Sequence, residues 1–505
     1  MNYGFWSILP PLLAVVLAVK SKNVILSLFS GGLIGTLILT GCRPIQSITS
    51  LIGDYYFVQL TDSYNAGVIV LLIFIGGFIK LLEKSGGAQA FAQSVTRYID
   101  TKVKAQICAW LGGIVVFFSD LGTPLIIGPI FEPVFDKLKI SREKLAWVLD
   151  STSSPVAILV PFIGWGVYIM GLIQNEFDAI GSTASDYTTF IQAIPFQIYA
   201  ILAVLMIPVI AVSRLDFSQM KKAEKRVEET GELFWETSNP QRSVQDKETV
   251  PQNARTSMVI IPLVILFATI FGLLIPEGFP FHKVNGNTFR VALTTGYFFA
   301  GVVLILLIQM FKVKPFKETF QIYVSGMKSM NDVAITLILA WTLGAIIKEL
   351  GTADFIINLM QKSSVPAMLV PAILFLFGSF VSFSTGSSWG TFAIMMPLAI
   401  PMSYAFQIPV YICVGAVLSG GLFGDHCSPI SDTTILSSTG AGCDLVDHVK
   451  TQLPYACLNG VIALIGFIIA GITQSAVSLA ISVVLLIVCV VLLGHYHRKK
   501  TATKN

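Results

Sequence analysis

Apolar runs long enough to cross a lipid bilayer follow one another along almost the whole chain, and no other feature restricts the fold as tightly. A helix needs about 17–25 residues to cross roughly 30 Å of hydrocarbon. Runs of this kind lie near 5–19, 24–41, 66–84, 147–172, 190–213, 258–275, 291–311, 329–350, 409–424 with its continuation, 453–473 and 475–494. Hydrocarbon offers no partner to a backbone N–H or C=O, so each run reads as a helix that satisfies its own groups. Of the 505 residues, 54% are hydrophobic and 12% charged, where a soluble domain averages about 25% charged. A soluble enzyme, a disordered chain and a coiled coil are thereby excluded. The net charge of +4 is small and scattered, so the expected surroundings are lipid and no nucleic acid is expected. The seven cysteines show no CxxC pair and no even spacing, which argues against a zinc site or a disulfide framework. The run at 5–19 lacks a basic leader and a small-residue cleavage site, and reads as a first span.

Two further regions, about 106–136 and 366–406, are apolar but interrupted in the middle by Gly, Ser, Thr and Pro. Their legs are short for full spans, so both read as re-entrant hairpins, giving about 11 spans plus two hairpins. Basic residues collect on the cytoplasmic side of membrane proteins. With 214–257 placed inside, alternation puts 28 of the 33 basic residues inside and leaves Arg43, Lys283, Arg290, Lys348 and Lys362 outside. The C-terminus is then cytoplasmic as well. The chain divides into a first repeat at 1–213, a charged cytoplasmic linker at 214–257, a second repeat at 258–473, and an extra span with a basic tail at 474–505. The linker carries eight basic and eight acidic residues and reads as a charged surface helix followed by a loose tether.

The two halves share short motifs. Gly87-Ala88-Gln89-Ala90-Phe91 parallels Gly351-Thr352-Ala353-Asp354-Phe355 at an offset of 264. The same offset lays Asp120-Leu121-Gly122-Thr123 over Ser384-Thr385-Gly386-Ser387, at the two hairpin centres. After a ten-residue insertion, Ser153-Ser154-Pro155 meets Cys427-Ser428-Pro429. Gly87 falls inside and Gly351 outside, so the repeats are inverted. The expected fold is an all-α polytopic membrane protein of two inverted-topology repeats, each with a re-entrant hairpin and a broken helix. Such repeats hold a substrate site near the bilayer midplane and build inward-open and outward-open states from one plan.

Polar groups inside a membrane are costly and need a reason. Four clusters stand out: Ser119 to Pro124 at the first hairpin tip, Asp150 to Pro155 in the span that follows, Ser382 to Thr391 at the second tip, and Gly424 to Thr434 in the equivalent broken span. Carboxylate, hydroxyl and carbonyl oxygens suit a hard cation and not a soft metal. Asp120, Asp150, Asp425 and Asp432 are the candidates for cation and proton coupling. Ser119, Gly122, Thr123, Ser153, Ser154, Ser384, Thr385, Gly386, Ser387, Ser388, Ser428, Ser431 and Thr433 are the candidates for substrate or ion binding. Na⁺ is placed at Asp120, Thr123, Ser384, Asp425 and Ser428, with H⁺ taken up by the same carboxylates when the cation leaves. No cofactor is called for. Each residue also has a structural reading: small hydroxyls pack helices, the Asp residues cap half-helices, His426 is a satisfied polar group, Glu132 and Asp332 are packing residues, and Trp165, Trp341 and Trp389 are packing or anchors.

These clusters carry a resemblance. GGLFGDHCSPISDTTILSSTGAGCDLVDHVKTQLPYA (420–456) resembles the C-terminal signature of the NhaC-type Na⁺/H⁺ antiporter family, and FFSDLGTPLIIGPIFEP (117–133) and FSTGSSWGTFAIMMPLAIP (383–401) resemble its two other hallmark stretches. The resemblance spans about 65–460 and implies a secondary transporter of the bacterial inner membrane, with a homodimer as a candidate assembly. It implies Na⁺/H⁺ antiport first, and as the alternative a Na⁺-coupled carrier of an amino acid or of an organic acid such as malate or lactate, a small carboxylate-bearing solute. An intramembrane aspartyl protease would need a Tyr-Asp pair and a Gly-x-Gly-Asp motif; the chain has no Tyr-Asp dipeptide, and Leu422 stands where the second motif needs Gly. Helix-breaking clusters in both halves fit alternating access better than the static filter of a channel.

Overall fold

A computed structural model describes residues 3–502 apart from 22, 91–98, 239–250, 252, 280–285, 353–354, 356–357 and 360–364. Phe91, Ala353 and Asp354 of the paired motif, Lys22, Arg97, Lys283, Lys362 and Lys504 among the basic residues, and most of the loose part of the linker lie outside the described residues. Every regular element among the described residues is helical. Seven helices are long and apolar enough to cross a bilayer, or up to nine if each of two bent pairs is one span. Of the eleven runs read from hydropathy, those at 24–41 and 190–213 fall in the bent pairs, those at 5–19 and 475–494 form shorter apolar helices among the described residues, and one is broken, while Ala367–Thr385, read as a hairpin leg, is itself long enough to cross. The broken run, at 147–172, is shared among Arg142–Ser151, Ser154–Ala157 and Gly164–Ile180. The second run also turns by 118° into Pro44–Thr61, an apolar segment the hydropathy reading passes over.

The order of elements repeats. In the first half, helix Lys102–Val115 folds back on Gly122–Lys137, and the broken run follows. In the second, Val370–Thr385 folds back on Ser388–Ala405, followed by Val410–Cys427, a break, and Asp432–Ala441. Pro155 lies in the first turn of the short helix Ser154–Ala157, where its missing N–H costs nothing, and Pro429 sits in the second break, where it disfavours helix in Ser428. A serine in each break ties it to its own hairpin tip. Ser153 Oγ donates to the Asp120 carbonyl at 2.5 Å, and Ser428 Oγ donates to the Phe383 carbonyl at 2.9 Å. By the repeat, Asp120 pairs with Ser384 and Ser153 with Cys427, so the bond of the second half is shifted by one residue at both ends, a similar tie in neighbouring positions.

Close backbone packing holds these pieces. A Cβ on Gly424 would lie 2.3 Å from the Ser379 carbonyl oxygen, so helix Val410–Cys427 can approach the second hairpin only with glycine there. Gly128 and Gly440 do the same for the first hairpin and helix Asp432–Ala441, where a Cβ on Gly128 would lie 2.3 Å from the Gly440 carbonyl oxygen. Where lipid gives no hydrophobic drive between helices, such contacts are a main source of association.

The described part of the linker is docked, not loose. Helix Ser218–Thr230 buries Met220, Ala223 and Val227, a spacing that puts all three on one face. Arg226 makes a two-pronged pair with Glu143 at 2.9 and 3.0 Å, with its guanidinium over the Trp235 ring. Lys144 meets Asp216 at 2.6 Å and Glu224 at 3.6 Å. The linker thus grips the start of the helix that carries Asp150.

A chamber between the hairpin tips and the helix breaks

The first tip is built by its own hydroxyls. Thr123 donates back to the carbonyls of Ser119 and Val116, and the Ser119 hydroxyl accepts from the Gly122 N–H, so the chain turns at Asp120 with its freed backbone groups satisfied. The Ser119 hydroxyl in turn donates to Glu83. A Cβ on Gly122 would meet both Glu83 and Ser119, which is why that position is small. At the second tip Gly386 takes a left-handed φ of 67°, and Ser387 caps the next helix by accepting from the Gly390 N–H at 3.3 Å.

The tips and breaks of both halves enclose one chamber of about 360 Å³. The first half contributes Asp120, Leu121, Ser154, Trp165 and Tyr168; the second contributes Gly386 to Trp389, Asp425 and Ser431 to Thr433. Ser329, Met330, Asp332, Val333 and Thr336, around the start of helix Asn331–Glu349, complete the wall. Four carboxylates, Asp120, Asp332, Asp425 and Asp432, line it, and no Lys or Arg is among the described lining residues. Ser388 Oγ donates to Asp425 Oδ2 at 3.3 Å, and the Ser431 and Thr433 hydroxyls lie 3.0 Å apart. Ser154 Oγ is buried with no protein partner. Trp165 and Trp389 meet at 4.9 Å, and Tyr168 donates to the Trp389 carbonyl at 2.7 Å, joining the halves across the chamber. A second space of about 320 Å³ shares Asp120, Leu121, Trp165, Ser329, Met330 and Trp389 with the first and runs on to Lys80 and Glu83.

Asp120, Asp425, Asp432, Ser154, Gly386, Ser387, Ser388, Ser431 and Thr433 therefore share the chamber, and Ser119 and Gly122 line the adjoining space. Of the five positions expected around Na⁺, Asp120 and Asp425 line the chamber, whereas Thr123, Ser384 and Ser428 do not. Thr123 and Ser428 spend their hydroxyls on backbone carbonyls, as do Ser153 and Thr385. Asp150 is the largest departure from the sequence reading. It is 1% exposed and lies in a closed cluster, where its Oδ2 accepts from Gln452 Nε2 at 2.6 Å and Thr434 Oγ1 at 3.2 Å and sits 3.4 Å from His448 Nε2.

Sequence reading misses Glu83, Tyr168, His448 and Gln452. His448 and Gln452 are four residues apart at the start of a span, a spacing that stacks two polar groups on one helix face. That signal is present within 420–456. Glu83 carries none, since it ends an ordinary apolar helix beside Lys84.

The sequence profile of the Na⁺/H⁺ antiporter family matches residues 7–162 and 156–472. The chain belongs to this family. An uncharacterized protein of Haemophilus influenzae is 32% identical to it over 492 residues, covering 94% of this chain and 92% of that one. The arginine/ornithine antiporter ArcD of Halobacterium salinarum is 35% identical over a shorter stretch of 123 residues, 24% of this chain and 25% of its own. The crystal structure of the YdaH transporter of Alcanivorax borkumensis shares the fold, with a TM-score of 0.58 over 84% of this chain and 87% of that one at 17% identity. Family and fold are those of multi-pass membrane transporters and not of enzymes.

Proposed function

We propose that the protein exchanges Na⁺ for H⁺ across the bacterial cytoplasmic membrane by alternating access of the chamber. The observation that carries this is the convergence of Asp120, Asp425 and Asp432, from the tips and breaks of both halves, on one space with no basic side chain among its described lining residues. A carboxylate taken out of water is costly without a counter-charge, so a bound cation or a proton at each buried acid is the natural complement. A serine tie between break and hairpin tip in each half supports inverted repeats that rock about this site. Family membership supports the cation and the antiport mode. The linker and C-terminus lie on the cytoplasmic side in this reading, as the distribution of Lys and Arg requires.

Proteoliposomes with an imposed pH gradient test it. They should accumulate Na⁺ or Li⁺ with counterflow of protons, and Asp425→Asn should abolish the uptake. Absence of Na⁺, Li⁺ and proton movement in the unaltered protein would sink the antiport reading.

A second reading is favoured by the aromatic wall. Trp165, Tyr168 and Trp389 face four carboxylates in a space larger than a bare cation needs, a setting that suits an ammonium-bearing amino acid through ion pairing and cation–π contact. The similarity to an arginine/ornithine antiporter supports it. An organic acid without an amine would meet carboxylates and no fixed cation, and would need Na⁺ alongside it. Thermal stabilisation of the purified protein by Na⁺, Li⁺, basic amino acids and dicarboxylates separates these cargoes, because a ligand of the folded state raises its melting temperature.

A further inference from the structure

The chamber continues into the adjoining space of about 320 Å³, which takes in Asp120, Trp165 and Trp389 and, on helix Ser63–Lys84, Lys80 and Glu83. Toward the side read as outer, the chamber is sealed. Beyond Tyr168, Trp341 Nε1 donates to the Gly171 carbonyl at 3.2 Å. The buried Glu176 lies against Gly344, where a Cβ would come within 2.5 Å of Glu176 Oε1. Helices Gly164–Ile180 and Asn331–Glu349 thus close on each other past the chamber. Lys80 is among the basic residues read as cytoplasmic, and its side chain is 42% exposed. A long cationic side chain keeps its ammonium in water, so the end of the space at Lys80 is the wet one. A cation moving between the chamber and the cytoplasm by this space passes Glu83.

Glu83 has one firm partner and one loose one. Its Oε1 accepts from the hydroxyl of Ser119, the residue before Asp120 at the hairpin tip. Its Oε2 faces Lys80 Nζ at 3.5 Å, from one turn back along the same helix. The backbone of that turn is fixed, because a Cβ on Gly326 would lie 2.5 Å from Lys80 Cβ and helix Phe316–Ser329 packs directly against it. Beyond Cβ, the lysine stem turns on rotatable bonds. An ion pair this long, with one member largely in water, is weak, unlike the buried contact of Lys144 and Asp216 at 2.6 Å. Lys80 therefore neutralises Glu83 without locking it. The chamber carboxylates have no such companion, since no Lys or Arg is among the described lining residues there. The contact with Ser119 alone would hold the tip with any neutral acceptor, so it does not account for a charged pair at this place.

We propose that Glu83 is a transfer station for the transported cation, where Na⁺ and the Lys80 ammonium alternate as its counter-charge. The assignment deepens the antiport reading and rests on it. Na⁺ leaving the chamber past Asp120 binds Glu83, and Lys80 swings into water. When Na⁺ departs, the ammonium returns. One positive charge stays beside Glu83 at every step, so the carboxylate never stands bare where that would be costly. The returning ammonium also repels a second cation, which favours release over recapture. Ser119 keeps the other oxygen of Glu83 turned toward the tip throughout.

Two substitutions with opposite expected effects test this. Glu83→Gln keeps an oxygen for the Ser119 hydroxyl and removes the charge. The full chain is reconstituted in proteoliposomes with an imposed pH gradient, and exchange is measured against Na⁺ concentration. Glu83→Gln should raise the half-saturating Na⁺ concentration about tenfold. Lys80→Gln, which removes the competitor, should lower it about threefold. Glu83→Asp keeps the charge and should recover part of the loss. Na⁺ should still raise the melting temperature of all three variants, because the chamber carboxylates are intact. The proposal is overturned if Glu83→Gln leaves half-saturation unaltered, or if the Gln substitutions at 83 and 80 move it in the same direction, as a pair that only fixes the tip would. It is overturned as well if Glu83→Gln abolishes the thermal response to Na⁺, which would make Glu83 part of the chamber site. Where Glu83→Gln does not fold, Lys80→Gln decides, and an unaltered or raised half-saturation overturns the proposal. Each of these results, obtained while the unaltered protein exchanges Na⁺ for H⁺, removes the station alone. An unaltered protein that moves neither ion removes the antiport reading and the station with it.

Discussion

The chamber and the Asp150 cluster are neighbours, and they treat the same chemical group in opposite ways. In the chamber, four Asp side chains look onto a space of about 360 Å³ and receive few protein hydrogen bonds. In the cluster, one Asp oxygen is surrounded by Gln452, Thr434 and two imidazoles, with no described cavity beside it. A carboxylate left with free oxygens in an open space is available to a cation. One held by Gln452 and Thr434 beside two imidazoles is closed to a hydrated cation. The contrast turns on Asp425 and His426, adjacent residues that face different spaces because the helix ends between them and the break.

The largest expected effect tests whether the two spaces divide the work. Asp425→Asn should weaken the Na⁺ response about 100-fold or more, the equivalent of about 3 kcal/mol for a buried charge left without its partner. Asp150→Asn should weaken it far less, since Asp150 lines none of the described cavities. Equal weakening by the two substitutions would merge the two spaces into one.

Next comes the base of the cluster. Glu143→Gln leaves the Arg226 guanidinium buried without its counter-charge and should lower unfolding stability by about 3 kcal/mol, read as a fall in melting temperature. Because the linker grips the helix of Asp150, the pH profile of transport should move in this variant more than the apparent Na⁺ affinity. An equal change in both would show that the linker supports the two spaces alike.

Gly424→Ala acts on the wall behind Asp425. The added methyl meets the Ser379 carbonyl and should cost about 1–3 kcal/mol. Na⁺ stabilisation, read as a rise in melting temperature, should fall if the second hairpin forms the wall of the chamber.

The smallest effect is a pH dependence at Lys144, at the inner edge ahead of the span that begins at 147. Burial works against its charge, but Asp216 and Glu224 more than offset this and hold the ammonium above the ordinary lysine range. A raised value in the folded state means that the stabilisation is complete below the ordinary lysine value, near pH 10.4, and is lost as pH rises through the raised one. Thermal unfolding across alkaline pH, compared with Lys144→Met, should show this decline only in the unaltered protein.

Much of the chamber is legible in the sequence. The breaks announce themselves as Gly, Ser and Pro within apolar runs, and Asp120, Asp425 and Asp432 lie in them for a local reason: a helix that stops in a membrane needs polar groups at its end. Asp150 satisfies the same rule, yet it faces away from the chamber. Its partners, His448 and Gln452, come from a helix about 300 residues later in the chain, which no local pattern connects to it. Thr123, Ser153 and Ser428 read as ligands, yet they spend their hydroxyls on carbonyls freed by the breaks, so the same residue types that could bind an ion are consumed in holding the turns.

The sequence by itself determined that this chain is a helical membrane protein, where its helices break, and which few carboxylates lie within the apolar runs. Hydropathy and helix-breaking chemistry are properties of neighbouring residues, so one dimension suffices for them. Only the tertiary structure decided which face each broken end presents. At a break the helical period is interrupted, and the direction of the next residue depends on the packing of Gly424 on Ser379, Gly128 on Gly440, and the serine ties of both halves. That packing put Asp425 in the chamber and turned His426 to Asp150.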